Sequence, residues 1–302
     1  MLQRHAQLTG HNGALYALAG RGDTLLSGGG DGWLVQWDYA TPELGKVMAK
    51  IEGRVFSFHA FAERPLVVAG DMEGGVRWID LTDAARNRNV AHHRQGVFAI
   101  RHRDAAVYTV GGEGRLTKWS VATQRTVESL QLSGQALRSL AIHPTLAEAA
   151  VGSSDGNVYV VQLDDFRLRQ TLDSAHANSV FSLVYSPDGQ YLYSGGRDAQ
   201  LQQWSVWDSY QNIRQIPAHL TTINDLVLSP DGRFLASAGR DKTVKIWDAA
   251  DLALLKVLEG VRDRGHFNSV NALAWTDRGL FSTGDDRTVI WWTQSSAASP
   301  DR

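Results

Sequence analysis

The sequence predicts an all-β protein built from repeated four-stranded units. The stretch SGGRDAQLQQW, from Ser194 to Trp204, returns as SAGRDKTVKIW, from Ser237 to Trp247, so the chain contains a repeat. One aromatic position, replaced once by valine, marks the end of each unit at steps of 41, 41, 42, 43, 43 and 45 residues: Trp37, Trp78, Trp119, Val161, Trp204, Trp247 and Trp292. Seven units of this length match the period of propeller blades.

Within each unit the apolar spacing is typical of short strands separated by turn residues. Two SPDG segments, Ser186 to Gly189 and Ser229 to Gly232, place Pro where φ is fixed and Gly where a tight turn needs positive φ. No segment shows a sustained helical period. We therefore expect one seven-bladed β-propeller over residues 1–293, with four antiparallel strands in each blade.

Counting strands indicates how the ring closes. After Trp292 only TQSSAASPDR remains, which is too short and polar to give the last blade its outer strand, whereas residues 2–8 have no other partner. The N-terminal strand should therefore complete the last blade and leave only short, protected sheet edges. The polar tail, residues 294–302, is expected to be disordered.

The GH pair at Gly10 and His11 and the WD pairs at Trp37 and Trp247 resemble the signature of WD-repeat β-propellers. In that family a His, a Ser or Thr, an Asp and a Trp are hydrogen-bonded in series within a blade. The resemblance implies four full sets here: His11, Ser27, Asp31 and Trp37; His176, Ser194, Asp198 and Trp204; His219, Ser237, Asp241 and Trp247; His266, Ser282, Asp286 and Trp292.

The other three blades depart from this pattern. Blade three has His93, Thr109 and Trp119 but Glu113 in place of Asp. Blade two has Ile51 at the His position and, measured to Trp78, a shortened turn. Blade four keeps Asp155 but has Val151 for Ser and Val161 for Trp, and it lacks the His.

Composition narrows the classes of partner. Among 302 residues, Lys and Arg number 30 against 32 acidic residues, so no global field favours nucleic acid or an anionic membrane surface. The chain has no cysteine, which excludes disulfides and thiolate metal sites. The N-terminal segment has no apolar run. We expect a cytoplasmic protein without metal or cofactor.

Three patterns invite a catalytic interpretation, and each has a plainer one. A recurring Ser, His and Asp could be a hydrolase triad, but an enzyme builds one site, whereas repetition is typical of groups that satisfy one another's buried polar atoms. SGGGDG, from Ser27 to Gly32, lacks the helix and Lys of a phosphate-binding loop and predicts a hairpin turn. Of adjacent His92 and His93, one is expected to be the blade His and the other a surface residue.

In families that this chain resembles, partners dock over the central channel, on the face of the Asp turns. Transferring the contact positions gives these candidate binding residues: Tyr16, Arg54, Phe56, Phe98, Arg138, Phe181, Arg197, Asn224, Arg240, Asn271 and Asp285. Aromatic side chains and arginines are the types that anchor protein interfaces, although the rings could be inner-strand packing and the arginines a solvated rim.

The resulting hypothesis is a non-catalytic platform for protein interactions. Clustered arginines beside rings favour a protein or peptide partner that is acidic or phosphorylated and carries a hydrophobic anchor. A hydrolase with a site at the channel mouth and a purely architectural subunit of a larger complex are the alternatives. The oligomeric state stays open.

Overall fold

Seven sheets of four antiparallel strands form a closed ring in the computed structural model, which describes residues 2–294. Each sheet is one blade, and the innermost strands of neighbouring blades contact one another around the whole ring, including those of blades one and seven. The predicted fold class, a seven-bladed β-propeller, is confirmed.

The strands are numbered along the chain, and those of each blade run from the channel outward. Blade one contains β2 Leu15–Arg21, β3 Thr24–Gly29, β4 Trp33–Asp38 and β5 Lys46–Lys50. Blade two contains β6 Val55–Ala60, β7 Leu66–Asp71, β8 Gly75–Asp80 and β9 Arg88–Ala91. Blade three contains β10 Val97–Arg103, β11 Ala106–Gly111, β12 Arg115–Ser120 and β13 Arg125–Gln131. Blade four contains β14 Leu137–Ile142, β15 Glu148–Ser153, β16 Val158–Gln162 and β17 Arg167–Leu172. Blade five contains β18 Val180–Tyr185, β19 Tyr191–Gly196, β20 Gln200–Ser205 and β21 Gln211–Pro217. Blade six contains β22 Ile223–Leu228, β23 Phe234–Gly239, β24 Val244–Asp248 and β25 Leu254–Leu258. Blade seven contains β26 Val270–Thr276, β27 Gly279–Gly284 and β28 Val289–Gln294, with β1 Leu2–Leu8 outermost.

Within the described residues the only helix is a single 3-10 turn, Ala84–Arg86, in the loop before β9. No helix of this part of the chain has the length and apolar character needed to cross a lipid bilayer.

The core lies between blades, because the middle strands are covered on both faces. In β19 and β20 every residue after the first is buried, whereas β21 at the outer edge is almost entirely exposed. Tyr193 and Leu201 of blade five pack against Leu226 and Trp247 of blade six. Fully burying one such apolar side chain contributes about 1.5–3 kcal/mol, so each interface between blades stabilises the ring.

The two SPDG segments form the turns that the sequence predicts. The amide of Gly189 donates to the carbonyl of Ser186 at 2.9 Å, and that of Gly232 donates to Ser229 at 2.8 Å. Both glycines have a φ of +72°, a conformation that a side chain would strain. These turns join the first and second strands of blades five and six.

The N-terminal strand closes the ring, as predicted. β1 pairs antiparallel with β28 from Leu2 opposite Gln294 to Leu8 opposite Val289. The ring of Trp291 meets His5 at 4.4 Å, which adds side-chain contact to the strand pairing. Gln294 therefore belongs to a strand and not to the expected disordered tail, since pairing with Leu2 satisfies its backbone; the rest of that tail, 295–302, lies outside the described residues.

Blade two is shifted by one residue from the predicted register. Ile79 lies opposite Val67 on the neighbouring strand, the position that Trp37 occupies opposite Leu25 in blade one. Trp78 faces the other side of the sheet and packs against Trp119 of blade three, with ring centroids 6.5 Å apart. Counted to Ile79, the turn has the same length as in blade one, so the shortened turn inferred from the sequence was wrong.

Candidate functional site

Four blades contain the same buried series of hydrogen bonds. In blade five, His176 Nδ1 lies 3.0 Å from Asp198 Oδ1, and its Nε2 lies 2.8 Å from Ser194 Oγ. Trp204 Nε1 donates to the same Ser194 oxygen at 2.9 Å. Equivalent bonds join the sets that begin at His11, His219 and His266, which confirms the four sets implied by the resemblance.

These polar side chains are arranged for stability. Ser194 is fully buried, and its hydroxyl oxygen is occupied by both His176 and Trp204. Burial acts to raise the pKa of Asp198, but the hydrogen bond and charge of His176 and two backbone donors outweigh it and hold the pKa below its usual range. A nucleophilic serine must reach its substrate, so this closed network supports the structural interpretation of the repeated trio.

Blade three keeps the series with one substitution. His93 Nδ1 lies 2.6 Å from Glu113 Oε1, and its Nε2 lies 2.8 Å from Thr109 Oγ1. Trp119 Nε1 donates to Thr109 at 2.9 Å. The longer glutamate thus reaches the same imidazole nitrogen that Asp bonds in the four full sets.

Blades two and four use other polar contacts. In blade four Ser133 takes the His position and donates to Asp155 at 2.5 Å, while the Tyr159 hydroxyl donates to the same carboxylate at 2.8 Å. In blade two the buried Asp71 accepts a bond from Arg77 Nε at 2.9 Å. The polar closure of a blade therefore survives loss of the His.

Two smaller motifs have structural roles. Gly32, with a φ of +74°, closes the SGGGDG segment by donating to Gly29 at 3.1 Å, so the segment is the expected hairpin turn. His92 is half-buried, with Nε2 3.0 Å from Thr117 Oγ1 and its ring 4.9 Å from that of Trp119, so its assignment to the surface was wrong. Among residues 2–294, no three His, Cys, Asp or Glu side chains cluster closely enough to hold a metal ion.

A cavity of about 660 Å³ follows the central channel. Seven of the candidate residues, each the second residue of its inner strand, line this cavity: Tyr16, Phe56, Phe98, Arg138, Phe181, Asn224 and Asn271. All seven are half-buried. The blade alignment thus brings them together at one level of the channel, which we call the mouth ring.

Four neighbouring members of the mouth ring form a continuous stack, here called the aromatic arc. Tyr16 stacks on Phe56 with centroids 4.7 Å apart and planes 3° apart, and Phe56 meets the edge of Phe98 at 5.8 Å. The guanidinium of Arg138 lies over Phe98, with Cζ 4.1 Å from the centroid, and its Nε donates to Ser154 Oγ at 3.0 Å. The arc spans blades one to four.

The opposite side of the mouth ring is polar. Asn224 Nδ2 donates to Ser269 Oγ at 2.9 Å, and Ser269 in turn donates to Asn271 Oδ1 at 3.0 Å. Asn271 Nδ2 donates to Asp285 Oδ1 at 2.8 Å and to the Leu15 carbonyl at 3.0 Å. These amides are occupied by protein partners, so the polar side is pre-organised.

The remaining candidates lie outside the cavity lining and are exposed: Arg54, Arg197, Arg240 and Asp285. Burial raises the pKa of Tyr16; the charge of Asp285 adds to this shift and that of Arg54 opposes it, so both lie near this end of the arc. Among the described residues, the side chains of Arg197 and Arg240 form neither an ion pair nor a hydrogen bond. The Arg54 side chain likewise forms neither within residues 2–294, so these three arginines are the open cations of the rim.

One rim residue escaped the sequence reasoning. Met72 is 42% exposed and directly precedes Glu73, the acidic residue of the turn in blade two, as Arg197 precedes Asp198 in blade five. The one-residue error at Trp78 hid it. A register anchored on Val67 and Ile79 would have revealed it.

Two family models match the chain, one in three segments and one in the middle. The model described as "WD domain, G-beta repeat" matches residues 2–38, 210–248 and 256–293, and an "N-terminal beta-propeller domain" matches residues 76–223. The chain is a WD-repeat β-propeller. Proteins of this family generally mediate protein interactions or scaffold complexes, and they are generally not enzymes.

Individual WD-repeat relatives are distant. The chain is 24% identical to WD repeat-containing protein ATCSA-1 of Arabidopsis thaliana, over 89% of this chain and 69% of that protein. It is 30% identical to echinoderm microtubule-associated protein-like 3 of Mus musculus, over 67% of this chain and 22% of that protein. It is 41% identical to probable cytosolic iron-sulfur protein assembly protein 1 of Aspergillus terreus, over 22% of this chain and 17% of that protein.

A solved WD-repeat structure shows the same fold. The crystal structure of the WD40 beta propeller domain of Doa1 superposes with a TM-score of 0.86 at 19% identity, over 98% of this chain and 97% of that chain. At this identity the likeness concerns the fold alone.

Proposed function

We propose that this WD-repeat propeller is a non-catalytic platform that binds a peptide or protein segment over the mouth ring. The observation that carries the proposal is the aromatic arc, in which Tyr16, Phe56 and Phe98 stand half-buried beside the Arg138 guanidinium. Aromatic and Arg side chains in a partly desolvated pocket are the residue types that dominate binding energy at interfaces.

The exposed residues beside the mouth ring indicate the chemical class of the partner. Arg197 and Arg240 are exposed and unpaired within residues 2–294, whereas Asp285 is engaged by Asn271. Guanidinium groups bind carboxylates and phosphates through paired hydrogen bonds. We therefore propose an acidic or phosphorylated segment whose apolar side chain rests on the arc, with Phe181 beside it.

The comparisons support the coarser part of this proposal. WD-repeat propellers commonly bind proteins, and two of the relatives are named as microtubule-associated proteins. One relative is named cytosolic, which supports our further proposal of a cytoplasmic location, to be checked by cell fractionation.

Affinity purification with mass spectrometry tests the proposal. Arg197→Ala with Arg240→Ala, and separately Phe181→Ala, should deplete the same partner. The matched control is Arg125→Ala with Arg167→Ala, two exposed arginines on the outer strands of blades three and four. A partner retained by every variant would favour an architectural role through blade edges, and turnover of an ester by the purified protein would favour the hydrolase alternative.

A further inference from the structure

A guanidinium stands inside the channel, below the mouth ring. Arg101 is the fifth residue of β10 and lines the cavity. The equivalent positions of the next two blades carry Ala141 and Val184. A charged side chain therefore stands where the next two blades carry small or apolar residues, and burying a charge is costly unless something pairs with it.

No such pairing is present among residues 2–294. The side chain of Arg101 makes one hydrogen bond, from Nη1 to the carbonyl of Ile100 at 2.9 Å, and no ion pair. Its surface is exposed to the channel space, yet the surrounding protein lowers its pKa by removing bulk water. Its remaining N–H groups, fixed in a planar fork, face the cavity without a protein acceptor.

Asp225, the acidic residue across the channel from Arg101, already accepts hydrogen bonds from the protein. Asp225, in the facing wall of blade six, accepts hydrogen bonds from Ser182 Oγ at 3.0 Å, from the Leu226 amide at 2.9 Å and from the Leu273 amide at 2.8 Å. Its charge influences Arg101 through space, but the two side chains form no salt bridge. Asp225 is therefore built into the wall, and it disfavours a second negative charge on its own side.

Two imidazoles lie near Arg101, one in blade two and one in blade three. The imidazoles of His59 and His102 stack with centroids 5.3 Å apart, and neither contacts a carboxylate within the described residues. Burial, followed by the charges of His102 and Arg101, lowers the pKa of His59 to about 4, so this ring is neutral near pH 7. His102 Nε2 is engaged by the Asp104 carbonyl at 2.6 Å, and His59 does not line the cavity, so Arg101 is the group of this wall that is free to bind an anion.

We propose that the channel binds an oxyanion, a carboxylate or a phosphate, at the Arg101 guanidinium. The planar fork matches two oxygens of such a group. Because Asp225 lies opposite, the ligand carries its negative charge at one end only. The cavity of about 660 Å³ lies within the range of small-molecule sites, roughly 300–1,000 Å³. This site does not depend on peptide docking at the mouth ring.

The test uses inorganic phosphate and butyrate as free anions and a blocked pentapeptide with one central glutamate. Binding is measured by calorimetry and by the thermal midpoint, with chloride at matched ionic strength as the baseline. Saturable binding should weaken at least tenfold in Arg101→Gln, a loss of about 1.4 kcal/mol. The control Arg125→Gln, an exposed arginine on the outer strand of blade three, should bind the free anions like the wild type.

The three binding measurements distinguish the possible sources of the oxyanion. Phosphate or butyrate bound through Arg101 assigns the site to a free small molecule, and binding of the pentapeptide alone assigns it to an acidic residue of a docked segment. Binding of none of the three probes, or binding that survives Arg101→Gln, would overturn the proposal.

A stability measurement without ligand guards against a purely structural role. If Arg101 waits for a ligand, Arg101→Gln removes an uncompensated charge and the thermal midpoint should stay the same or rise. If water instead bridges Arg101 to Asp225 as a structural staple, the midpoint should fall, and that result would also count against the site. Arg101→Lys, which keeps the charge without the fork, should bind phosphate more weakly than the wild type.

Discussion

The guanidinium of Arg138 in blade four covers the ring of Phe98 in blade three, with 4.1 Å between Cζ and the ring centroid. Ser154 holds the same guanidinium at Nε, so this charge is partly committed within the protein. A cation–π contact of this kind contributes about 0.5–1 kcal/mol at an exposed site. Long-range selectivity for an acidic partner should therefore come mainly from the open rim arginines.

The first prediction separates rim charge from apolar anchoring. Arg197→Ala with Arg240→Ala should weaken partner binding at low salt and flatten its salt dependence, because exposed charge pairs are screened by ions. Phe181→Ala should weaken binding by about 1–2 kcal/mol with an unchanged salt slope. Titrations at several salt concentrations measure both effects. Phe234→Ala, at the start of β23 beside Trp275, is the control. Binding that neither the double arginine change nor Phe181→Ala weakens would move the site off the mouth ring.

The second prediction concerns ring closure. Deleting residues 2–8 leaves β28 with an unpaired edge and uncovers Trp291, so the variant should melt at a lower temperature and aggregate. Gln3→Ala, which changes an exposed side chain of β1 but keeps its backbone pairing, should behave like the wild type. A thermal denaturation curve that the deletion leaves unaltered would contradict closure through β1.

The third prediction compares equivalent positions in two blades. Trp204→Ala removes a buried ring and the donor to Ser194, which should cost about 3–5 kcal/mol of unfolding free energy in urea. Val161→Ala removes less volume and should cost about 1–3 kcal/mol. Trp207, whose side chain is 64% exposed, is the matched control, and its change to Ala should stay within about 0.5 kcal/mol. A milder effect at Trp204 than at Val161 would show that the two positions are not equivalent.

The fourth prediction concerns acid. The pKa of Asp198 lies below its usual range in the folded protein, against about 3.9 in an unfolded chain. Its charge therefore contributes stability that is present above that unfolded value and is lost as pH falls through the folded one. The difference in thermal midpoint between the wild type and Asp198→Asn should be largest near neutral pH and shrink below about pH 4. A difference that persists unchanged down to the folded pKa would show that the carboxylate charge plays no part.

The fold followed from the sequence because each blade repeats one pattern of turn, strand and polar network, so a weak copy can be placed by its neighbours. The error in the register of blade two arose because residue type and strand geometry disagree there. Trp78 has the residue type that marks the end of the other units, but successive residues of a strand face opposite sides, and Ile79 occupies the equivalent position. Residue type alone could not choose between the two faces.

The mouth ring was predictable for the same reason, since it is the second residue of every inner strand. The channel site was not. Arg101 and Asp225 lie in blades three and six, and only the closed ring brings their walls face to face. No local spacing in the sequence encodes that approach.

Pairing β1 with β28 also sets an order of events during synthesis. β1 is synthesised first, but its partner β28 is synthesised only after almost the whole ring, since Leu2 pairs with Gln294. At about 5–20 residues per second, a ribosome needs roughly 15–60 s to cover that distance. Six blades can complete all four strands as they emerge, while the seventh, and with it the ring, must stay open until the end, with β1 held unpaired in the meantime.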